Sequence, residues 1–311
     1  MDKISLIVPC YNEAEAIPIL YTELINVTSK MSTVNFEFIF IDDGSSDRTL
    51  PICKELATKD EKVKYISFSR NFGKEAAMYA GLTNAIGDYV AILDADMQDP
   101  PSLLPKLYYA VKYEGYDSAA TRRVSRKGEP KIRSFCARLF YKLMRKISDA
   151  EIVDGARDFR LMNRKFVNAL LSMKEYNRFS KGMFGWVGFK TKWIEFENIQ
   201  RCAGETKWSF WGLLKYSIEG IIAFSNVPLI IASLTGLLFC IMAFFFIIFI
   251  IVRQLLYHNS VNGWSSLVCI ILLIGGIQLF SIGVLGHYMS QLYIEVKRRP
   301  NFIISEDNIK K

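Results

Sequence analysis

Through residue 122 the chain alternates short apolar runs with amphipathic stretches. ISLIVPC (4–10) is apolar throughout, as a strand buried on both faces is. FEFIFID (36–42), KVKYISF (62–68), DYVAILDA (88–95) and DSAATR (117–122) also read as strands. Between them 13–31, 47–57, 74–85 and 101–113 read as helices, with the turn DGSSD after the second strand. Strand–helix alternation predicts an α/β fold with a mainly parallel sheet and helices on both faces. In such sheets ligands bind at the carboxyl ends of the strands.

The pattern changes after residue 220. No Asp, Glu, Lys or Arg occurs in 220–252, and after Arg253 none occurs before Glu295. Segments 228–252 and 265–289 each reach the roughly 20 apolar residues that a bilayer core of about 30 Å requires. Two buried core helices would be neither so long nor so uniformly apolar. The connector RQLLYHNSVNGW is short, so the two spans form a hairpin. Lys207 and Lys215 precede the first span, Lys297, Arg298 and Arg299 follow the second, and only Arg253 lies between. That bias places both ends on the cytoplasmic side. Gly275, Gly276, Gly283 and Gly286 form a small-residue stripe that permits close helix contact, within the hairpin or between subunits. A homo-oligomer is the expected assembly. The expected division is a cytosolic domain over 1–207, a juxtamembrane amphipathic helix over 208–225, two spans within 226–290 and a basic cytosolic tail over 291–311.

Composition narrows the class. Of 311 residues, 51% are hydrophobic, which excludes a disordered chain. The opening MDKISLIVPCYNE meets Asn12 and Glu13 too soon for a signal peptide. Cys10, Cys53, Cys136, Cys202, Cys240 and Cys269 form no CxxC pair, and with two histidines a zinc site is disfavoured. Nothing points to an oxidising compartment, so the polar part is expected in the cytoplasm.

Acidic residues cluster at three strand ends: Glu13, Asp42 with Asp43, and Asp94, Asp96 and Asp99. Such a cluster repels itself unless a cation joins it. Asp94 and Asp96, two apart on an extended backbone, leave it on the same side. A divalent metal bound by one or two carboxylates and by substrate phosphates fits them, whereas a chance surface DxD would not close an apolar strand. Segment 122–146 holds 10 basic residues against Glu129 alone, and 131–147 has helical apolar spacing. Beside two membrane spans this reads as a basic amphipathic helix on an anionic membrane surface rather than a nucleic-acid site; the bland alternative is a solvated face. In 154–162 two carboxylates alternate with two arginines, which periodicity reads as an ion-pair loop. The loop 201–208 is polar, and its cations could meet a phosphate at the interface, where Trp208 and Trp211 anchor.

IVPCYNE (7–13), DDGSSDRT (42–49), SRNFGKEAAMYAGL (69–82), DADMQDPP (94–101), DFRLMNR (158–164), GETKWS (204–209) and the two-helix tail occur in one order. Together they resemble the inverting family 2 glycosyltransferases of GT-A fold, and among them the polyprenyl-phosphate glycosyltransferases. Bactoprenol glucosyltransferases are the best match, with dolichyl-phosphate mannose synthases as cousins. The resemblance covers nearly the whole chain and implies a Rossmann-like GT-A domain carrying a transmembrane hairpin. It implies that Pro9, Tyr11, Glu13, Asp42, Asp43, Lys74 and Asp94 contact the nucleotide. Asp94 and Asp96, with Gln98 close by, would hold Mg²⁺ or Mn²⁺ on the sugar-nucleotide diphosphate. Asp158 matches the proposed catalytic carboxylate; Asp154 is the rival. Arg122, Arg133, Arg201 and Lys207 would receive the lipid phosphate. Thr206 stands where the family often has Ser, and the hydroxyl survives.

The reaction so implied is attack by a polyprenyl phosphate, undecaprenyl phosphate, on the anomeric carbon of a sugar nucleotide. A phosphate with a second pKa of about 6 is largely ionised at neutral pH, so a strong base is not obligatory. Asp158 would then orient the acceptor or an arginine. UDP-glucose is the expected donor, with UDP-N-acetylglucosamine, UDP-galactose and GDP-mannose as alternatives. The lipid-linked sugar would pass to a flippase and a downstream glycosyltransferase that modify a cell-surface glycan. A processive polysaccharide synthase would carry QxxRW, which Gln200-Arg201 does not match. A non-catalytic membrane scaffold would not need Asp94, Asp96, Asp158 and Lys207 intact.

Overall fold

The computed structural model describes residues 1–124, 153, 155–197, 221–222, 225–257 and 263–309. They form two compact units, 1–217 with 299–311, and 218–298.

The first unit is built on one eight-stranded sheet of order β7-β5-β6-β4-β1-β2-β3-β8. Strand β1 (Asp2–Cys10) lies at its centre, with Ile4 to Val8 fully buried. It pairs in parallel with β2 (Val34–Asp42) and β4 (Tyr89–Ile92), and β2 pairs in parallel with β3 (Val63–Phe68). Helices α1 (Ala16–Thr28), α2 (Thr49–Lys59), α3 (Lys74–Asn84) and α4 (Leu104–Tyr113) make the connections. Helix α3 is rich in small residues because it sits close on the sheet: a Cβ on Gly81 would lie 2.3 Å from Ile7 Cγ2. Elements expected through residue 123 are present, with ends shifted by a few residues.

Beyond β5 (Ser118–Arg123) the sheet becomes mixed. The segment read as an ion-pair loop is instead strand β6 (Ala156–Asn163), antiparallel to both β4 and β5. Its charged residues find their partners in distant parts of the chain, which local periodicity does not show. Asn163 then caps α5 (Arg164–Ser172), its side chain accepting the Phe166 N–H at 2.8 Å. Helix α6 (Ser180–Trp186) and β7 (Thr191–Phe196), parallel to β5, complete this side. At the opposite edge β8 (Ile304–Asp307) pairs antiparallel with β3. Within the segment expected as a basic tail, residues 304–307 are thus an edge strand. Phe302 stacks on Phe68 at 5.0 Å, and the Asn308 side chain accepts the Tyr65 N–H at 2.7 Å and donates to Val63 O at 3.2 Å.

The second unit holds α7 (Val227–Tyr257) and α8 (Trp264–Lys297). At about 1.5 Å per residue their 31 and 34 residues run to about 46 and 51 Å, more than a bilayer core needs. Within them Val227–Arg253 and Leu273–Lys297 are long and apolar enough to cross a membrane. Tyr288 Oη donates to Ser225 O at 2.6 Å, tying α8 to the start of α7. Arg298, left-handed at φ 48°, ends α8. The amphipathic helices expected over 131–147 and 208–225 fall outside the described residues, apart from a few positions at the end of the second.

Candidate active site

The register of β4 and β6 builds the site. Ile92 pairs with Arg160 at the end of an antiparallel ladder, and just beyond that last pair Asp94 and Asp158 both reach one cation. Between them lies Lys74, the first residue of α3. Its Nζ is 2.6 Å from Asp94 Oδ1 and 2.5 Å from Asp158 Oδ2. Gly73, at φ 96°, lets the chain turn into α3 at that point. Burial works against the Lys74 ammonium, but Asp158 and Asp94 outweigh it and hold its pKa above the ordinary lysine value. Burial would raise Asp158, yet Lys74 above all, with Lys181 and Arg157, holds it well below the usual carboxylate range.

A second ion pair flanks the first. Asp99, 1% exposed, accepts Arg157 Nε at 3.0 Å and the Thr121 hydroxyl at 3.3 Å. Burial pushes Asp99 up to about 6 against the pull of Arg157. Arg157 Nη2 also donates to Gln98 Oε1 at 3.2 Å. Asp96 is buried, and its Oδ1 accepts the Gln98 N–H at 3.1 Å. The strand has ended by then: residues 95–96 form a turn and Met97 is left-handed at φ 56°. Asp94 and Asp96 therefore do not share the extended backbone expected of them, and the turn sets their directions.

Among the described residues no three His, Cys, Asp or Glu side chains converge as a metal site. Asp94 and Asp96 offer two carboxylates, too few for a resident ion. They suit one that arrives with a diphosphate supplying further oxygens.

At the ends of β1 and β2 the acidic groups hold loops in place. Asp42, 1% exposed, accepts the Ser67 hydroxyl at 2.8 Å and the Ser45 N–H at 3.1 Å. Asp43 accepts the N–H groups of Phe72 at 2.6 Å and Gly73 at 2.9 Å, which fixes the approach to Lys74. Burial pushes Asp43 up to about 6, partly countered by those two N–H groups. The Glu13 N–H donates to Thr49 Oγ1 at 2.8 Å, Tyr11 is 39% exposed, and Pro9 is half-buried beside Ile41.

Of the cations expected to meet a lipid phosphate, Arg122 lies at the end of β5, its Nη1 3.6 Å from Glu195 Oε1. Arg133, Arg201 and Lys207 lie outside the described residues, as does Asp154. The structure thus brings together Lys74, Asp94, Asp96, Gln98 and Asp158, and adds Asp99 and Arg157. The signal for the last two was the alternation of charges in 157–160 and the acid closing the DxD turn. Lys74, expected at the nucleotide, bridges the two carboxylates. Glu75 beside it accepts the N–H of Ser180 at 3.2 Å and the Ser180 hydroxyl, anchoring α6 next to the site.

The chain is similar to known proteins along nearly its whole length. The chain is 42% identical over 303 residues to a prophage bactoprenol glucosyl transferase homolog of Escherichia coli (strain K12), covering 97% of this chain and 98% of that protein. It is 40% identical over 309 residues to the bactoprenol glucosyl transferase of Shigella phage SfV, covering 99% and 100%. Among solved structures, glucosyl-3-phosphoglycerate synthase from Mycobacterium tuberculosis, in complex with Mn²⁺, UDP-glucose and phosphoglyceric acid, matches at TM-score 0.45 and 18% identity. That match covers 71% of this chain and 78% of that one. Residues 5–171, more than half the chain, match the family described as Glycosyl transferase family 2. With a GT-A-like α/β sheet, two long apolar helices and similarity along its whole length, the chain belongs to the family 2 glycosyltransferases.

Proposed function

We propose that the protein transfers glucose from UDP-glucose to undecaprenyl phosphate at the cytoplasmic face of a membrane, with inversion at the anomeric carbon. The observation that carries the reading is the Lys74 bridge. A donor diphosphate held at Asp94 sits within one side chain of Asp158. Full-length identity to proteins named bactoprenol glucosyl transferases supports the lipid acceptor and the sugar. The Lys/Arg bias around the two spans supports cytoplasmic ends.

Pro9, Tyr11, Glu13, Asp42 and Asp43 surround the base and ribose. A Mg²⁺ or Mn²⁺ ion on Asp94 and Asp96, near Gln98, would offset charge on the leaving diphosphate. Arg122, Arg133, Arg201 and Lys207 position the dianionic lipid phosphate. One of its oxygens bonds to the anomeric carbon as the bond from that carbon to the diphosphate breaks, and the electron pair leaves with the nucleoside diphosphate. The acceptor is already ionised. Asp158, itself ionised beside Lys74, orients it rather than removing a proton.

The test incubates detergent-purified protein with undecaprenyl phosphate, divalent metal and each labelled sugar nucleotide in turn. Label should enter the organic phase from UDP-glucose and not in Asp96→Asn protein. Transfer only from UDP-N-acetylglucosamine, UDP-galactose or GDP-mannose would replace the donor. No transfer from any donor, in folded protein, would reject the reaction.

A further inference from the structure

Arg160 is a charged side chain that the network above does not use. It is 3% exposed on β6, and its Nε and Nη1 have no hydrogen-bond acceptor. Its guanidinium carbon lies 3.7 Å over the Phe184 ring, with Trp193 at 5.8 Å and Phe166 at 6.0 Å. Ring faces offset part of the lost hydration but accept nothing from the in-plane N–H groups. Burial draws the group down to about 9, with Asp158 pulling the other way, and a guanidinium at that value stays charged at neutral pH. An apolar side chain would pack here without that cost.

Arg160 lines a cavity of about 280 Å³ between β6, α6 and β7. Lys181 and Arg157 are also among its lining residues, the Arg157 guanidinium being turned away to Asp99 and Gln98, and no carboxylate lines it among the described residues. Arg157 is committed to Asp99 and Gln98, which leaves Arg160 as the cation without a counter-charge of its own. Phe184 and Trp193 form apolar walls. The volume exceeds that of a bare oxyanion, so the shape suits an anion carrying carbon. Lys181 is close enough to Asp158 to lower its pKa, so this positive field borders the site of transfer.

We infer that this cavity is a phosphomonoester site, anchored by Arg160 with Lys181 as its second cation and the aromatic rings facing the organic portion. The inference rests on the lipid-phosphate acceptor reading and adds to it a wall that Arg122, Arg133, Arg201 and Lys207 do not supply. Free phosphate offers the same oxyanion, so the test separates the two sources.

The full chain in detergent is titrated with farnesyl phosphate and, separately, with inorganic phosphate, for wild type, Arg160→Met and Lys181→Met. Binding is read by calorimetry and folding by thermal melt. Both variants should weaken farnesyl phosphate by about tenfold or more, the scale of one lost charge-assisted hydrogen bond. The KM for lipid acceptor should rise with it while the KM for sugar nucleotide stays put. Arg160→Met removes unmet donors, so its melting temperature should hold or rise; half-buried Lys181 gives a second variant if it does not fold. Weakening of inorganic phosphate alone would support the anion site and overturn the lipid as its ligand. Unchanged affinity for both probes in both variants would overturn the site. Intact farnesyl phosphate binding without any sugar transfer would reject the proposed reaction and leave the site standing.

Discussion

Lys74→Met tests whether one ammonium holds the two halves of the site together. At an effective dielectric of about 20, each contact of about 2.6 Å corresponds to about 6 kcal/mol of bare Coulomb attraction. Most of that is repaid in desolvation, and water screens the rest: the side chains of Lys74, Asp94 and Asp158 are 35%, 22% and 16% exposed. Exposed pairs contribute about 0.2–1 kcal/mol and breaking a buried pair costs about 3–5, so a half-screened bridge should be worth about 2 kcal/mol. For a unit of roughly 200 residues that is a fall of about 4–8 °C in melting temperature. The assay is thermal unfolding of detergent-solubilised protein, for Lys74→Met, Asp158→Asn and the double variant. The double should be less destabilised than the sum by about 1 kcal/mol. The pH dependence has a definite sign. Asp158 is depressed in the folded state, so its contribution is present above the unfolded value of about 3.9 and is lost as pH falls below it. The Lys74→Met deficit should therefore shrink between pH 7 and pH 3. Strict additivity in the cycle, together with a deficit that ignores pH, would refute the bridge.

Asp43 gives the opposite slope. Its folded pKa is raised to about 6, so the folded state binds the proton more tightly and stability falls as pH rises from about 4 to 6. Unfolding midpoints at pH 4 to 7 should show up to about 3 kcal/mol of this slope vanish in Asp43→Asn. Phe302→Ala should cost about 2 kcal/mol in urea unfolding by removing a half-buried ring stacked on Phe68 and edge-on to Tyr79. Gly44→Ala should destabilise far more than Gly115→Ala. Both are left-handed, worth about 1–2 kcal/mol of strain, but a Cβ on Gly44 would lie 2.4 Å from the Arg70 backbone while Gly115 faces open space. Equal melting temperatures for the two would contradict the close approach at Gly44.

The parallel half of the fold was legible because its signals are local. Ile4 to Val8 are buried and read as buried, and each following helix carries its own periodicity. The antiparallel half was not, because its order comes from partners far along the chain. Asp158 finds Lys74 across 84 residues, and Asn308 finds Tyr65 across 243. Strand β8 is four residues, ISED, with no alternation to find; it is held by Phe302 and Asn308 on either side. The site shows the same division. Asp94, Asp96 and Asp158 stand out as types in motifs, but the role of Lys74 as the cation shared by Asp94 and Asp158 depends on α3 and β6 meeting, which no spacing records.

The reversal at β6 is what makes the site. A strand running parallel to β4 would bring its carboxyl end to this edge, whereas antiparallel β6 brings its first residues. Asp158 therefore arrives directly from the preceding loop, at the edge where β4 ends in Asp94. Alternation along the strand then sorts the charges: Asp158 and Arg160 project to one face of the sheet, Arg157 and Phe159 to the other. Observed contacts follow that sorting. Asp158 meets Lys74 and Arg160 meets Phe184, while Arg157 meets Asp99 and Phe159 joins the core. A slip of one residue would place Arg157 or Phe159 opposite Asp94 and exchange every face. Phe159 at 1% exposure and Leu161 at 0% make that slip costly, so apolar packing at one end of β6 fixes where the carboxylate stands at the other.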